Sequence, residues 1–244
     1  MRKHLSVFML YTRSSLYRIL ILFLLMAAAE IALFYLSVER IISSTTIGLE
    51  RMFDKSYIGL VMGAVFVLMS IQLCLMGCEF GSKQSYTLRR LSVGEEAVFI
   101  WQALFNAFAY FMLWALQLVL VWAMCIYGTE KMGTLASNQN IFLAFYRNDF
   151  LHSLLPLAET SRLIRNILLI IALGLSSALF SYHNRRKKFG ISIIFMILIG
   201  GLPFAGSVGN IETDAVQGLA SVCVIIWSIY RVFIKEAAGE HEET

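Results

Sequence analysis

The chain has 244 residues, of which 59% are hydrophobic and only 15% charged, against roughly 45–50% apolar and about 25% charged for a soluble globular domain. A soluble core of this size has no room for that excess. The mean hydropathy of +0.73, two prolines and 18 phenylalanines exclude ordinary soluble-enzyme and nucleic-acid-binding classes in favour of long helices in lipid.

Residues 1–18 mix apolar side chains with Arg2, Lys3, Arg13 and Arg18, a pattern that predicts an interfacial helix on the cytoplasmic surface. The apolar run then continues from Ile19 through Ala27, Ala28 and Ala29 to Leu36. At ~1.5 Å per residue it reaches about 27 Å, which fits a span better than a cleaved signal peptide. Further spans are predicted at residues 57–78, 98–127, 167–182, 191–205 and 215–233, giving an all-α polytopic membrane protein with about six transmembrane helices. The fifth is short and carries Gly200, Gly201 and Pro203, which predict a kink or re-entrant turn. Residues 19–234 thus read as one transmembrane domain. Within it, residues 81–97 form a polar cytoplasmic connector. Residues 138–165, with Arg147, Asn148, Asp149 and His152 among aromatics and leucines, are predicted to lie on or dip into the outer leaflet. Residues 235–244, KEAAGEHEET, have the composition of a disordered tail.

Orientation follows from the placement of Lys and Arg. With the N-terminus inside, the cytoplasmic side holds Arg2, Lys3, Arg13, Arg18, Lys83, Arg89, Arg90, Arg185, Arg186, Lys187, Lys188, Arg231 and Lys235. The outer side holds only Arg40, Arg51, Lys55, Lys131, Arg147, Arg162 and Arg165. Both termini are therefore expected in the cytoplasm, and the cluster HNRRKK at residues 183–188 is the strongest single argument. In that frame the net charge of +4 reports topology ahead of any anionic ligand.

No catalytic set emerges. The Gly81-Ser82-Lys83 run has Met76 where a phosphate-binding loop requires its earlier glycine. Glu95-Glu96 lacks the Arg and partner His that an intramembrane protease would need, and His152 is a lone interfacial histidine. Cys74, Cys78, Cys125 and Cys223 all lie in apolar stretches and read as buried thiols, although Cys74 and Cys78 share a helix face. The polar residues inside spans are more informative, because an ionisable group at mid-bilayer costs roughly 3 kcal/mol. Glu30 is the one acid expected within a span. Gln102, Asn106 and Gln117 fall on one stripe of the third span, Gln72 and Glu79 on another in the second. Two readings of these groups stand: hydrogen bonds between helices, or a substrate pathway. No span is expected to carry an interior cation for Glu30, which favours a hydrated or protonated Glu30 facing a pathway. Gly59 and Gly63 make a GxxxG that would permit close packing.

The connector reads TLRRLSVGEEAVFIWQALFNA. With the basic N-terminal helix, six spans, both ends inside and no nucleotide site, it resembles a permease of the ABC-2 type exporter family. In that family the connector commonly runs leucine, basic residues, leucine, proline and a small residue into the third span. Leu88, Arg89, Arg90, Leu91 and Val93 match, while Ser92 replaces the proline. The resemblance implies that Leu88, Arg89, Arg90, Leu91, Glu95 and Glu96 couple to an ATPase, and that Glu30, Gln72, Gln102, Asn106 and Gln117 lie along the substrate path. It implies no enzyme site and no cofactor in this chain, with ATP and Mg held by two partner ATPase subunits. The other expected partners are a second permease half, identical or related, and membrane lipid, with no nucleic acid. The cargo class is a lipid, a peptide or an amphipathic drug, and the location a cell membrane, bacterial by family. The rival classes are an ion-coupled secondary transporter and a non-transporting membrane enzyme or regulatory subunit. They lack, respectively, an internal repeat and a catalytic set.

Overall fold

The computed structural model describes residues 2–42, 49–76, 94–132, 138–156, 159–186, 192–201 and 211–234. Among them every regular element is helical. In chain order these are α1 (Arg2–Ile42), α2 (Leu49–Ser56), α3 (Ile58–Leu75), α4 (Glu95–Met132), α5 (Asn138–Arg147), α6 (Asp149–Leu154), α7 (Thr160–Arg185), α8 (Ser192–Gly201) and α9 (Ile211–Ile229). A π-helical turn, Tyr230–Ile234, continues α9.

Five helical segments are long and apolar enough to cross a membrane: Ser15–Arg40, Ile58–Leu75, Glu95–Met132, Thr160–Arg185 and Asp214–Ile234. The protein is an all-α, multi-pass membrane protein. Of the remaining predicted span the structure describes the ten-residue α8, with Gly200 and Gly201 at its described end; Pro203 lies outside the described residues. The expected N-terminal interfacial helix and the first span are one unbroken 41-residue helix. Residues 2–42 contain neither glycine nor proline, so nothing in the sequence forces a break between them.

Polarity is turned outside in. Leu24, Leu25, Leu60, Leu68, Val119, Leu198, Leu219 and Ile226 are exposed and face hydrocarbon in a bilayer, while Ser70, Gln102, Asn106, Gln117, Ser177, Ser181 and Ser221 are buried. Between helices in lipid, small residues and hydrogen bonds hold what apolar area alone does not. The helix pair α4 and α7 is the most extensively packed, followed by α7 with α9 and α4 with α1. Gly174 marks a close approach. A Cβ there would lie 2.7 Å from Ala107 Cβ and 2.8 Å from the Ala107 backbone nitrogen, so only glycine fits.

The outer end is capped. The buried faces of α2, α5 and α6 (Leu49, Met52, Phe53, Ala144, Phe145, Leu151 and Leu154) form one cluster with Phe34, Val38, Val121 and Met124 of α1 and α4. Phe142 and Tyr146 on the other face of α5 remain exposed. The predicted outer interfacial segment therefore covers the bundle with one face and presents aromatics outward with the other. Asn148 joins α5 to α6: its Oδ1 accepts the Leu151 N–H at 3.0 Å, and its Nδ2 donates to Asp54 Oδ1 at 2.7 Å.

Candidate functional site

The side-chain chemistry of the bundle lies in three seams between helices and at one corner where α4 begins and α7 ends. The first seam joins α4 to α7 and to the end of α3. Gln102 Nε2 donates to Met76 O at 2.9 Å and to Ser181 Oγ at 2.8 Å. The Ser181 hydroxyl has Met76 O at 2.8 Å and Cys74 O at 2.9 Å as acceptors. The last carbonyls of α3, which a helix end leaves without internal partners, are thus satisfied by side chains of two other helices. One turn further along α4, Asn106 Nδ2 donates to Ser177 Oγ at 2.8 Å. Tyr110 then donates to Ser70 Oγ at 2.9 Å, tying α4 to α3.

The second seam joins α4 to α1. Gln117 Nε2 donates to Glu30 Oε2 at 3.0 Å, and both residues are fully buried. Glu30 Oε1 and Gln117 Oε1 are buried with no partner among the described residues. The predicted stripe Gln102, Asn106, Gln117 is real, and it serves two neighbours: its N-terminal part meets α7 and its C-terminal part meets α1. Gln72 joins neither group, its Nε2 being buried without a partner among the described residues, and Glu79 lies outside those residues.

The third seam joins α7 to α9 at the outer end and corrects two expectations. Arg162 and Arg165 were expected in the outer segment and the fourth span from residue 167, but α7 begins at Thr160 and buries both. Their partner is Asp214, also buried, just before the predicted last span. Arg162 Nε donates to Asp214 Oδ2 at 2.9 Å and pairs with Glu159 at 2.5 Å, and Arg165 pairs with Asp214 Oδ1. Glu30 is therefore not the sole acid buried in a span, and interior cations do exist. They sit near the start of α7, well before the Ser177 and Ser181 contacts with α4, and are matched to Asp214 and not to Glu30. Two arginines three apart ahead of one apolar run, with an aspartate at the head of another, are the signal that could have found them.

The corner where α4 begins and α7 ends holds the remaining predicted residues. Glu95 and Glu96 open α4 and are exposed, as suits acids at a helix N-terminus. Glu95 pairs with Arg186 at 3.1 Å, and Arg185 Nη1 lies 3.4 Å from Gln102 Oε1. This bond puts the start of α4 and the end of α7 on the same membrane side. Leu88, Arg89, Arg90 and Leu91 lie outside the described residues, as does the tail, 235–244.

At the outer cap, burial and the neighbouring Glu50 and Asp149 raise the Asp54 carboxyl above its ordinary range, against the Asn148 donor that lowers it. His152 is partly buried, 3.8 Å from Glu159 and edge-on to Tyr146. Cys74 and Cys125 are buried thiols, whereas Cys223 is exposed on a lipid-facing surface. No group of three or more His, Cys, Asp or Glu able to hold a metal occurs among the described residues. A small cavity of about 80 Å³ lies under α6, with Tyr110, Trp114, Asn166 and Gly200 in its wall. Its polar groups are engaged: Trp114 Nε1 donates to Leu154 O at 3.0 Å and Asn166 Nδ2 to Ser153 O at 3.0 Å. Trp114 and Asn166 also border an apolar groove between α4 and α7, formed by Leu104, Phe108, Ile167 and Ile171.

No family model, no curated protein and no solved structure matches the chain.

Proposed function

We propose that this chain is the permease half of an ATP-driven exporter of the ABC-2 type. It works with a second permease half and two ATPase subunits that bring ATP and Mg, in a bacterial plasma membrane. The supporting observation is the corner where α4 begins and α7 ends. The connector entering α4 and the basic segment leaving α7 carry much of the positive charge of the chain, and the Glu95–Arg186 pair holds their attachment points side by side. A partner docking there touches both segments at once.

Its motion has a rigid carrier. α4 is a single 38-residue helix, about 57 Å long, and no proline interrupts it. A pull on the connector shifts α4 as a unit, taking with it α7 through the Gly174–Ala107 contact and α1 through Glu30–Gln117. Movement of one permease half against the other then exposes cargo outward, with the ATP-bound and nucleotide-free states of the partner selecting the two arrangements. The apolar groove of α4 and α7 suits a lipid-like or amphipathic cargo better than a hydrophilic one.

The test is purification in mild detergent followed by hydrolysis assays. An ATPase with a Walker A motif is expected in the complex. Replacing Arg89 and Arg90 together, or Glu95 and Glu96 together, is expected to lower hydrolysis several-fold while leaving melting temperature unchanged, because exposed ion pairs contribute under about 1 kcal/mol to folding. A chain that purifies without any ATPase, or unchanged hydrolysis in both double variants, would overturn the reading.

A further inference from the structure

The Glu30–Gln117 pair is incomplete. One hydrogen bond, Gln117 Nε2 to Glu30 Oε2, is made. Two buried acceptor oxygens, Glu30 Oε1 and Gln117 Oε1, have no donor among the described residues. A buried acceptor without a donor costs about 1–3 kcal/mol, more when charged, and here two such oxygens belong to one contacting pair.

Among the described residues the surroundings offer no other remedy. Gln117 alone among these residues hydrogen-bonds the Glu30 carboxyl. Each helix packed on α1 can be checked in turn. α3 carries no charged residue. The charges of α2, Glu50, Arg51, Asp54 and Lys55, belong to a helix whose Met52 carbonyl meets Ser37, seven residues and so about 10 Å further along α1. On α4, Cys125 is eight residues beyond Gln117, about 12 Å, and Glu130 and Lys131 are further still. On α1 itself, Arg18, Glu39 and Arg40 are nine or more residues away. The Arg162 and Arg165 guanidiniums are engaged with Asp214. A metal ion would need more oxygens than the two left open here.

One hydrogen completes both atoms. We propose that Glu30 and Gln117 form a single-proton binding site, a carboxylic acid–amide ring across α1 and α4. In it Glu30 Oε1–H donates to Gln117 Oε1 while Gln117 Nε2–H donates to Glu30 Oε2. Acid and amide are complementary in this respect, each offering one donor and one acceptor in the same plane. With the proton bound, the clasp is neutral and both groups are satisfied. When Glu30 gives the proton to water or a buffer base, the O–H bond breaks and its electron pair stays on the carboxylate. The Gln117 Oε1 bond is lost, and an uncompensated charge is left in the α1–α4 seam, which favours separation of the two helices or entry of water. The site is thus a proton-loaded catch on the helix that carries the N-terminus. It stands independently of the exporter reading.

Infrared spectroscopy of the purified protein in lipid nanodiscs tests this, with melting curves over pH. A protonated-carboxyl C=O band is expected at neutral pH, lost in Glu30→Gln and shifted in Gln117→Leu, where the acceptor is gone. Glu30→Gln keeps both hydrogen bonds as an amide–amide ring and is expected to melt no lower than the natural chain. Removing the proton breaks the bond to Gln117 Oε1 and leaves a charge in the seam, which lowers stability. The natural chain should therefore lose melting temperature on alkalinisation relative to Glu30→Gln. The absence of an acid band assignable to Glu30 in folded protein overturns the proposal. So does a sodium-dependent rise in melting temperature that Glu30→Gln abolishes, which would make the ligand a metal cation.

Discussion

The two sides of α7 hold their neighbours by different physics. Toward α4 the contact is neutral and close, with Gly174 against the Ala107 backbone and Ser177 and Ser181 meeting the amides of Asn106 and Gln102. Toward α9 it is ionic and local, with Arg162 and Arg165 converging on Asp214 at the outer end. A seam of several neutral hydrogen bonds loses stability in small steps, since each is worth about 0.5–1.5 kcal/mol net. A buried ion cluster is closer to all-or-none, because removing one member leaves the others charged and unpaired. The α4–α7 pair is built as a permanent unit and the α7–α9 contact as a latch.

Breaking the latch is expected to have the largest effect. Asp214→Asn should destabilise the protein by about 3 kcal/mol or more, read as a drop in melting temperature in detergent or nanodiscs. Replacing Arg162, Arg165 and Asp214 together with Gln, Gln and Asn should recover much of that loss, because the stranded charges go with their partner. If the triple variant is as unstable as Asp214→Asn alone, the ionic account of this seam fails.

The middle effect belongs to the close contact. Gly174→Ala places a methyl group within 3 Å of the Ala107 backbone and should cost about 1–3 kcal/mol through forced separation of the helices. Adding Ala107→Gly removes the Cβ–Cβ collision but not the approach to the backbone nitrogen, so recovery should be partial. Unfolding curves for the two variants measure both steps.

The smallest effect is expected from Gln102→Leu. Two donated hydrogen bonds disappear, yet Met76 O keeps the Ser181 hydroxyl, so the loss should be about 1–2 kcal/mol. A loss as large as that of Asp214→Asn would make the α4–α7 seam as all-or-none as the latch and erase the distinction.

The sequence alone determined the membrane class, the approximate positions of five spans and the polar stripe of α4. Each is a property of one segment: apolar length, or the 100° step that gathers Gln102, Asn106 and Gln117 on one face. Only the tertiary structure decided what that stripe meets, dividing it between Ser177 and Ser181 on one side and Glu30 on the other. It also brought Asp214 to Arg162 and Arg165, residues that sequence placed in a connecting segment, and laid α2, α5 and α6 over the outer end. Helical periodicity says which face of a helix is buried. The identity of the facing helix depends on how all the spans pack together, a choice made by shape at positions such as Gly174 and by charge matching at Asp214, both of which join residues tens of positions apart.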